Sequence, residues 1–202
     1  KVPRRLPVTL SVEEVTVLLG ACDRLRDRFL LALLAESGIR IGQALGLRHE
    51  DLVSRRRELR IVPRSDNANG ARAKTAAVTT VPVSAPLVRL YSDYMHTEYG
   101  DLDSDYVFVN LWGGRVGSPL TYAAVYDLVR RLRSGTGIDF DPHWLRHTYA
   151  TGLLRSGVPV EVVSCLLGHA SVATTSTTYA HLSVADARAA LTRAGVLTED
   201  VS

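Results

Sequence analysis

From Phe29 to Leu47 the sequence reads FLLALLAESGIRIGQALGL. A run this apolar belongs in a protein interior, and near its middle it carries a charge that it cannot shed, Arg40. A guanidinium that begins a helix inside such a segment is costly to bury unless an anion meets it. Two kinds of anion satisfy that demand. One is internal, a carboxylate such as Glu36 or Asp51. The other is external, and the forked donors of arginine suit a phosphate. Both readings stand at this point.

Around this segment most of the chain is patterned as helices. TLSVEEVTVLLGAC opens on Ser11 with Glu14 three residues later, a capping-box pattern. DRLRDRFLLALLAESG has apolar residues at helical spacing and stops at Gly38. RIGQALGLRHEDL predicts a third, short helix. The pattern then changes: ELRIVP (58–63) and VTTVPV (78–83) are compact and β-branched, and the loop-like RSDNANGARAKT lies between them. They predict two antiparallel strands of a small sheet, with room for a third. Helices resume at SAPLVRLYSDYMHTEYG, capped by Ser84 with Pro86 in its first turn. YVFVN reads as a short strand or extended piece, WGGRVGSP as a loop and TYAAVYDLVRRLRSG as an amphipathic helix. DPHWLRHTYATGLLRSG starts from Asp141 and Pro142 and stops at Gly157. VPVEVVSCLLG, SVATTSTTYAHL and SVADARAALTRAG, the last capped by Ser183, complete the chain. The fold class is therefore α+β, mainly helical, with a small antiparallel β-sheet or hairpin on one edge.

The 202 residues suffice for a sizeable core, and no uninterrupted apolar run approaches the roughly 20 residues of a bilayer span. No secretory signal is visible in these residues, and they contain no CxxC pair. Cys22 and Cys165 read as two reduced core thiols of a cytoplasmic protein. Lysine is almost unused: of 24 Lys plus Arg only Lys1 and Lys74 are lysine, leaving 24 − 2 = 22 arginines. The arginines cluster at 4/5, at 24/26/28, at 55–57 with 60 and 64, and at 130/131/133, a pattern that suits phosphate-rich partners and equally a solvated helix face.

Four constellations carry chemistry. HWLRH puts His143 and Arg146 three apart on one helix face, with His147 four from His143. A histidine pair at that spacing invites zinc, but Trp144 stands where H-E-x-x-H needs its glutamate, which removes the metalloprotease reading. Arg40 is the second. The third is LLGHASVATTSTTYAHL, where His169 follows a glycine and Tyr179 comes ten residues later. Lys74, on the approach to a strand, is the fourth. Each alone has a plain structural reading: salt bridge, satisfied core histidine, half-buried tyrosine, exposed charge.

Taken together, in the order Arg, Lys, His-x-x-Arg, His, Tyr, they resemble the catalytic domain of the tyrosine recombinases, the phage-integrase family. SGIRIGQALGLRHEDL, ARAKTAAVTTVPV, PHWLRHTYATGLL and LGHASVATTSTTYAHL carry the resemblance. It implies that Arg40 and Arg146 grip the scissile phosphate and that His143 is the histidine of the His-x-x-Arg pair. It implies further that His169 fills a position held by histidine or tryptophan, that Tyr179 is the nucleophile and that Lys74 is the hairpin lysine acting as general acid. The spacing from Lys74 to Pro82 (82 − 74 = 8) matches the interval usual in the family. Gln43, three residues after Arg40, departs from the acidic residue common there and leaves the protonation of His143 open.

The resemblance also implies double-stranded DNA as partner, a homotetramer on that DNA, no metal, no other cofactor, no small-molecule substrate and no membrane. Residues 1–9 then read as a linker from a missing N-terminal DNA-binding part, 10–182 as the catalytic domain and 183–202 as a helical tail. That tail has two readings, packing on its own domain or docking on a neighbouring protomer, with Val184, Ala187, Leu191 and Val196 as its apolar side. The expected function is site-specific DNA recombination through a covalent 3′-phosphotyrosine, in a bacterial or phage-encoded cytoplasmic protein. The alternatives are DNA relaxation of the type IB topoisomerase kind and a non-catalytic helix-turn-helix DNA-binding module.

Overall fold

The computed structural model describes residues 8–72, 77–168 and 183–198. Its helices are α1 (Val12–Gly20), α2 (Leu25–Ser37), α3 (Ile41–Leu45), α4 (Ala85–Tyr94), α5 (Tyr122–Thr136), α6 (Pro142–Arg155), α7 (Val160–Leu166) and α8 (Val184–Arg193). The strands are β1 (Leu52–Val53), β2 (Glu58–Ile61) and β3 (Thr79–Pro82). They form one antiparallel sheet in the order β1-β2-β3, so the third strand precedes the two legible ones. Leu59 pairs with Val81, and both are fully buried. YVFVN stays outside that sheet. It joins the body through single bridges, Arg48 to Tyr106 and Val109 to Pro119, and buries Val107, Phe108 and Val109.

Helix α2 is the axis of the fold. Phe29, Leu30, Leu31, Leu33 and Leu34 point in different directions round it and all are buried, because α1, α4 and α6 pack on different sides. Its first amides are capped from a distance, as the Glu98 carboxylate accepts from Leu25 N and Arg26 N at 2.9 Å each. At its other end Gly38 adopts φ +61°, and the chain turns sharply into Arg40 and α3. A Cβ at Gly38 would run into the Tyr149 ring and Leu167, so glycine is required both by the left-handed backbone and by the space.

The arginine cluster at 24/26/28 is largely structural. Arg26 is buried, bonded to Asp27 at 2.7 Å and to the Val109 carbonyl at 3.1 Å. Arg28 donates to the carbonyls of Leu19 and Cys22. Arg64 likewise serves the fold by clamping the buried Asp51 at 2.7 Å. Cys165 is exposed, not a core thiol, because its position on the short α7 faces away from the packed side; Cys22 is buried, and both are free thiols.

The described part of the tail packs against β3 and α7 of its own chain, and Arg188 donates to the carbonyls of Arg56 and Arg57 at 2.8 and 2.7 Å. Its buried residues are Ala187, Ala190, Leu191 and Leu197. Val196, expected on the apolar side, is exposed. The helix has ended by then, and the turn at Gly195 brings Leu197 under Leu191 instead. No helix among the described residues is long and apolar enough to cross a membrane.

Gly38→Ala is expected to cost about 2 kcal/mol or more, from the left-handed backbone and the clash with Tyr149, and to lower the thermal midpoint by roughly 4–8 °C. Differential scanning fluorimetry reads this directly, and an unchanged midpoint would contradict the packing described for the α2–α6 contact.

Candidate active site

A cleft of about 340 Å³ opens where the α2–α3 turn, the start of α5 and the start of α6 meet. Its charged lining residues are Arg40, Arg72, Asp141 and Arg146, with His143 beside them. Arg40 is the N-cap of α3, in extended conformation at φ −75° and ψ 148°. Gln43 holds it there: its buried amide oxygen accepts from Arg40 N at 2.7 Å. The glutamine thus keeps the acceptor that an acidic residue would supply and drops the charge. Its bond is to the Arg40 backbone.

Arg146 comes from the second turn of α6 and is 4% exposed. It donates to the Gly38 carbonyl at 2.6 Å and to the Leu167 carbonyl at 2.8 Å. Two of its five N–H donors are thereby used on neutral acceptors. Burial, and then the charge of Arg40, push its pKa down to about 10, so it remains cationic at neutral pH. Arg40 has its Nη1 buried with no hydrogen-bond partner. The carboxylates that an internal pairing would use are engaged elsewhere. Glu36 accepts from Ser84 N and Ser84 Oγ at 2.6 and 2.8 Å, and Asp51 is held by Arg64. Among the described residues neither Arg40 nor Arg146 forms an ion pair with a carboxylate. Two guanidiniums that repel one another and lack a countercharge make a site for an anion.

Asp141, the acid of the cleft, caps α6 by accepting from His143 N at 2.8 Å. His143 is exposed at the cleft mouth, and the His147 ring meets it edge-on with centroids 4.4 Å apart. Burial first, then His143 and Arg146, lower the pKa of His147 below its ordinary value. Of the six residues singled out in the sequence, the structure brings Arg40, His143 and Arg146 to one cleft. Lys74, His169 and Tyr179 lie outside the described residues. Sequence reasoning missed Arg72, Tyr122 and Tyr126, which line the same cleft. Arg72 is signalled only by its closeness to Lys74, and the two tyrosines lie on a helix whose facing direction the pattern alone does not give.

Residues 9–186 match the model of the Phage integrase family. The chain belongs to that family. Transposase A from transposon Tn554 of Staphylococcus aureus is 46% identical over 179 residues, covering 88% of this chain and 50% of the transposase. Tyrosine recombinase XerD of Mycobacterium tuberculosis (strain ATCC 25618 / H37Rv) is 34% identical over 186 residues, covering 85% and 56% respectively. This integrase-family chain thus spans about half the length of the curated relatives it matches. The crystal structure of XerA recombinase superposes with TM-score 0.69 at 28% identity, over 95% of this chain and 66% of that one. XerH site-specific recombinase in its pre-cleavage complex with difH substrate gives 0.63 at 27%, over 91% and 53%. The mainly helical fold with its small edge sheet is that of this family.

Two outcomes follow from the geometry. Arg146→Ala strands two carbonyls and lowers stability by about 1–3 kcal/mol in a urea melt, whereas Arg40→Ala, which removes a repelled charge with an unpartnered nitrogen, leaves stability unchanged or raised. Equal losses in the two variants would contradict the division of roles. The depressed pKa of His147 means that the unfolded chain takes up a proton first as pH falls. Its stabilising contribution is complete above about 6.5 and is lost as pH drops through the lower folded value. His147→Asn therefore makes the acid-side decline of the urea midpoint shallower, with half-buried His49, shifted the same way, keeping part of the slope. An unchanged slope would rule out the burial assigned to His147.

Proposed function

We propose that the chain is the catalytic part of a site-specific DNA recombinase of the integrase and transposase type. It would cut and rejoin double-stranded DNA through a covalent phosphotyrosine. The observation that carries this reading is the convergence of Arg40 and Arg146 in one cleft without a carboxylate between them, in a chain of the phage integrase family. A phosphodiester resists attack because its non-bridging oxygens are negative. Two guanidiniums bind both oxygens and stabilise the charge that builds in the pentacoordinate transition state.

In the first step the Tyr179 oxygen attacks phosphorus. An O–P bond forms to the tyrosine, the bond from phosphorus to the 5′-oxygen breaks, and the strand's 3′ end is left on the enzyme. The tyrosine proton, held at a pKa near 10 in water, passes to His143 as base. The departing 5′-oxygen takes a proton from Lys74. An ordinary guanidinium is a poor donor here, with a pKa above about 12, and Arg146, though lowered, is committed to two backbone carbonyls and the phosphate, whereas a lysine near other cations can be tuned downward and is free to give up its proton. A 5′-hydroxyl of the partner strand then reverses the step, and the phosphotyrosine conserves the energy of the bond, so no nucleotide triphosphate is consumed.

The covalent chain supports the assignments that fall outside the described residues. Lys74 follows the cleft residue Arg72 by two positions, and His169 follows Leu167, an acceptor of Arg146, by two. Homotetramer assembly on DNA and a bacterial or phage-borne mobile element as source belong to the same proposal. Relaxation of any supercoiled plasmid without a defined site would favour the topoisomerase reading. A purely DNA-binding module leaves the arginine convergence without a purpose.

A suicide duplex, nicked near the exchange point of the element that encodes the chain, should trap a covalent adduct that Tyr179→Phe abolishes. Lys74→Arg should bind that duplex and fail to cut it, and sulfur in place of the leaving 5′-oxygen should restore cutting, because a thiolate leaves without a proton. An adduct that survives Tyr179→Phe would refute the nucleophile, and absent sulfur rescue would refute the acid. Arg40→Ala should slow adduct formation by about 10²–10³-fold, the usual effect of losing one placed donor.

A further inference from the structure

The loop between β2 and β3 is built to deliver one more charge to the cleft. Asn69 sits at its centre and donates from Nδ2 to the carbonyls of Leu45 and Leu120 at 3.0 and 2.7 Å, tying the loop to the end of α3 and to the segment before α5. Asn67 donates to the Ala71 carbonyl at 2.9 Å, and the Tyr106 hydroxyl accepts from Ala68 N at 2.8 Å. Ala71 is buried against the body and donates its N–H to Asn69 Oδ1 at 3.1 Å. The next residue, Arg72, lies so close to α3 that a Cβ on Gly42 would collide with its backbone carbonyl and with the Tyr122 hydroxyl. Glycine at 42 is what lets the loop reach this point.

The Arg72 backbone is therefore fixed, whereas its side chain is exposed and lines the same cleft as Arg40, His143 and Arg146. Among the described residues no carboxylate pairs with it. We infer that Arg72 is a further DNA-contacting residue, whose guanidinium takes a phosphate of the bound strand next to the scissile one. The inference rests on the recombinase reading above. One phosphodiester has two non-bridging oxygens, and Arg40 and Arg146 already serve them. A third guanidinium in the same cleft is surplus for a single phosphate. A ligand that is a polymer of phosphates, which duplex DNA is, supplies the further anion for it.

The test uses duplexes of about 30 base pairs from the junction at which the unsubstituted chain forms its adduct, with fluorescein at one end. Single phosphates within two positions of the cleavage point are replaced by neutral methylphosphonate, one per duplex. Binding is read by anisotropy in the Tyr179→Phe chain, so that the DNA stays intact. With Arg72 present, one flanking methylphosphonate should weaken binding by about tenfold, as expected for losing one charge-assisted contact. Adding Arg72→Ala should abolish that penalty, leave the penalty at the scissile phosphate intact, and lower the slope of log affinity against log salt by about one. Arg72→Lys should restore the slope.

The inference is overturned if Arg72→Ala keeps every flanking penalty, or alters only the scissile one. A failure of the recombinase reading shows itself separately, as an absent adduct in the unsubstituted chain, and it removes the inference with it. The Arg72 side chain is exposed and its anchors are backbone groups and asparagines, so Arg72→Ala should leave the thermal midpoint in place.

Discussion

One buried guanidinium holds the working part of this molecule together. Arg146 reaches from α6 to the carbonyl of Gly38, where α2 ends, and to that of Leu167, where α7 ends. Helix α6 and the ends of α2 and α7 are thereby fixed relative to one another by two hydrogen bonds to neutral acceptors. Those bonds leave the charge of Arg146 uncompensated, and Arg40 stands beside it in the same condition. The site accepts a standing electrostatic cost in the free protein. Under the proposed function an arriving phosphate would relieve that cost, and its binding would be strengthened by repulsion that the fold has already absorbed.

The surroundings explain how such a pair survives. The carboxylates nearest in sequence are withdrawn into structural duties: Glu36 closes the start of α4 through Ser84, and Asp51 is locked to Arg64. Either one placed between the arginines would form a stable ion pair and compete with any external anion. Asp141 does remain at the cleft, but it accepts from the first turn of α6, and the amides of that turn draw on its charge. The β2–β3 loop is tied down by asparagines up to Ala71, which sets Arg72 on the cleft wall.

Much of this was legible in the sequence, for identifiable reasons. Caps at Ser11, Ser84, Asp141 and Ser183 announce their helices because side-chain capping is a local event written in adjacent residues. ELRIVP and VTTVPV announce their strands through β-branched composition. Arg40 and Arg146 stood out because a charge in an apolar context, or three residues from a histidine on one helix face, demands an explanation. What stayed hidden depends on long-range placement. Arg26 and Arg28 look like a basic surface, yet they fill carbonyl and carboxylate sites contributed in part by residues far along the chain. Arg72 looks like an ordinary loop residue until Gly42 and Tyr122 are seen beside it. Val196 and Leu197 exchange roles because one turn at Gly195 shifts the face by a residue, which periodicity extended past a helix end cannot foresee.

The central claim is that this arginine pair holds a DNA phosphate for attack by one particular tyrosine. Mass spectrometry of the trapped protein–DNA product, after nuclease and trypsin digestion, tests it most directly. Trypsin releases residues 156–188 as one peptide, in which Tyr179 is the single tyrosine. The account predicts that fragmentation places a nucleotide, joined through its 3′-phosphate, on Tyr179. A nucleotide on any other residue, or one joined through its 5′-phosphate, would contradict it.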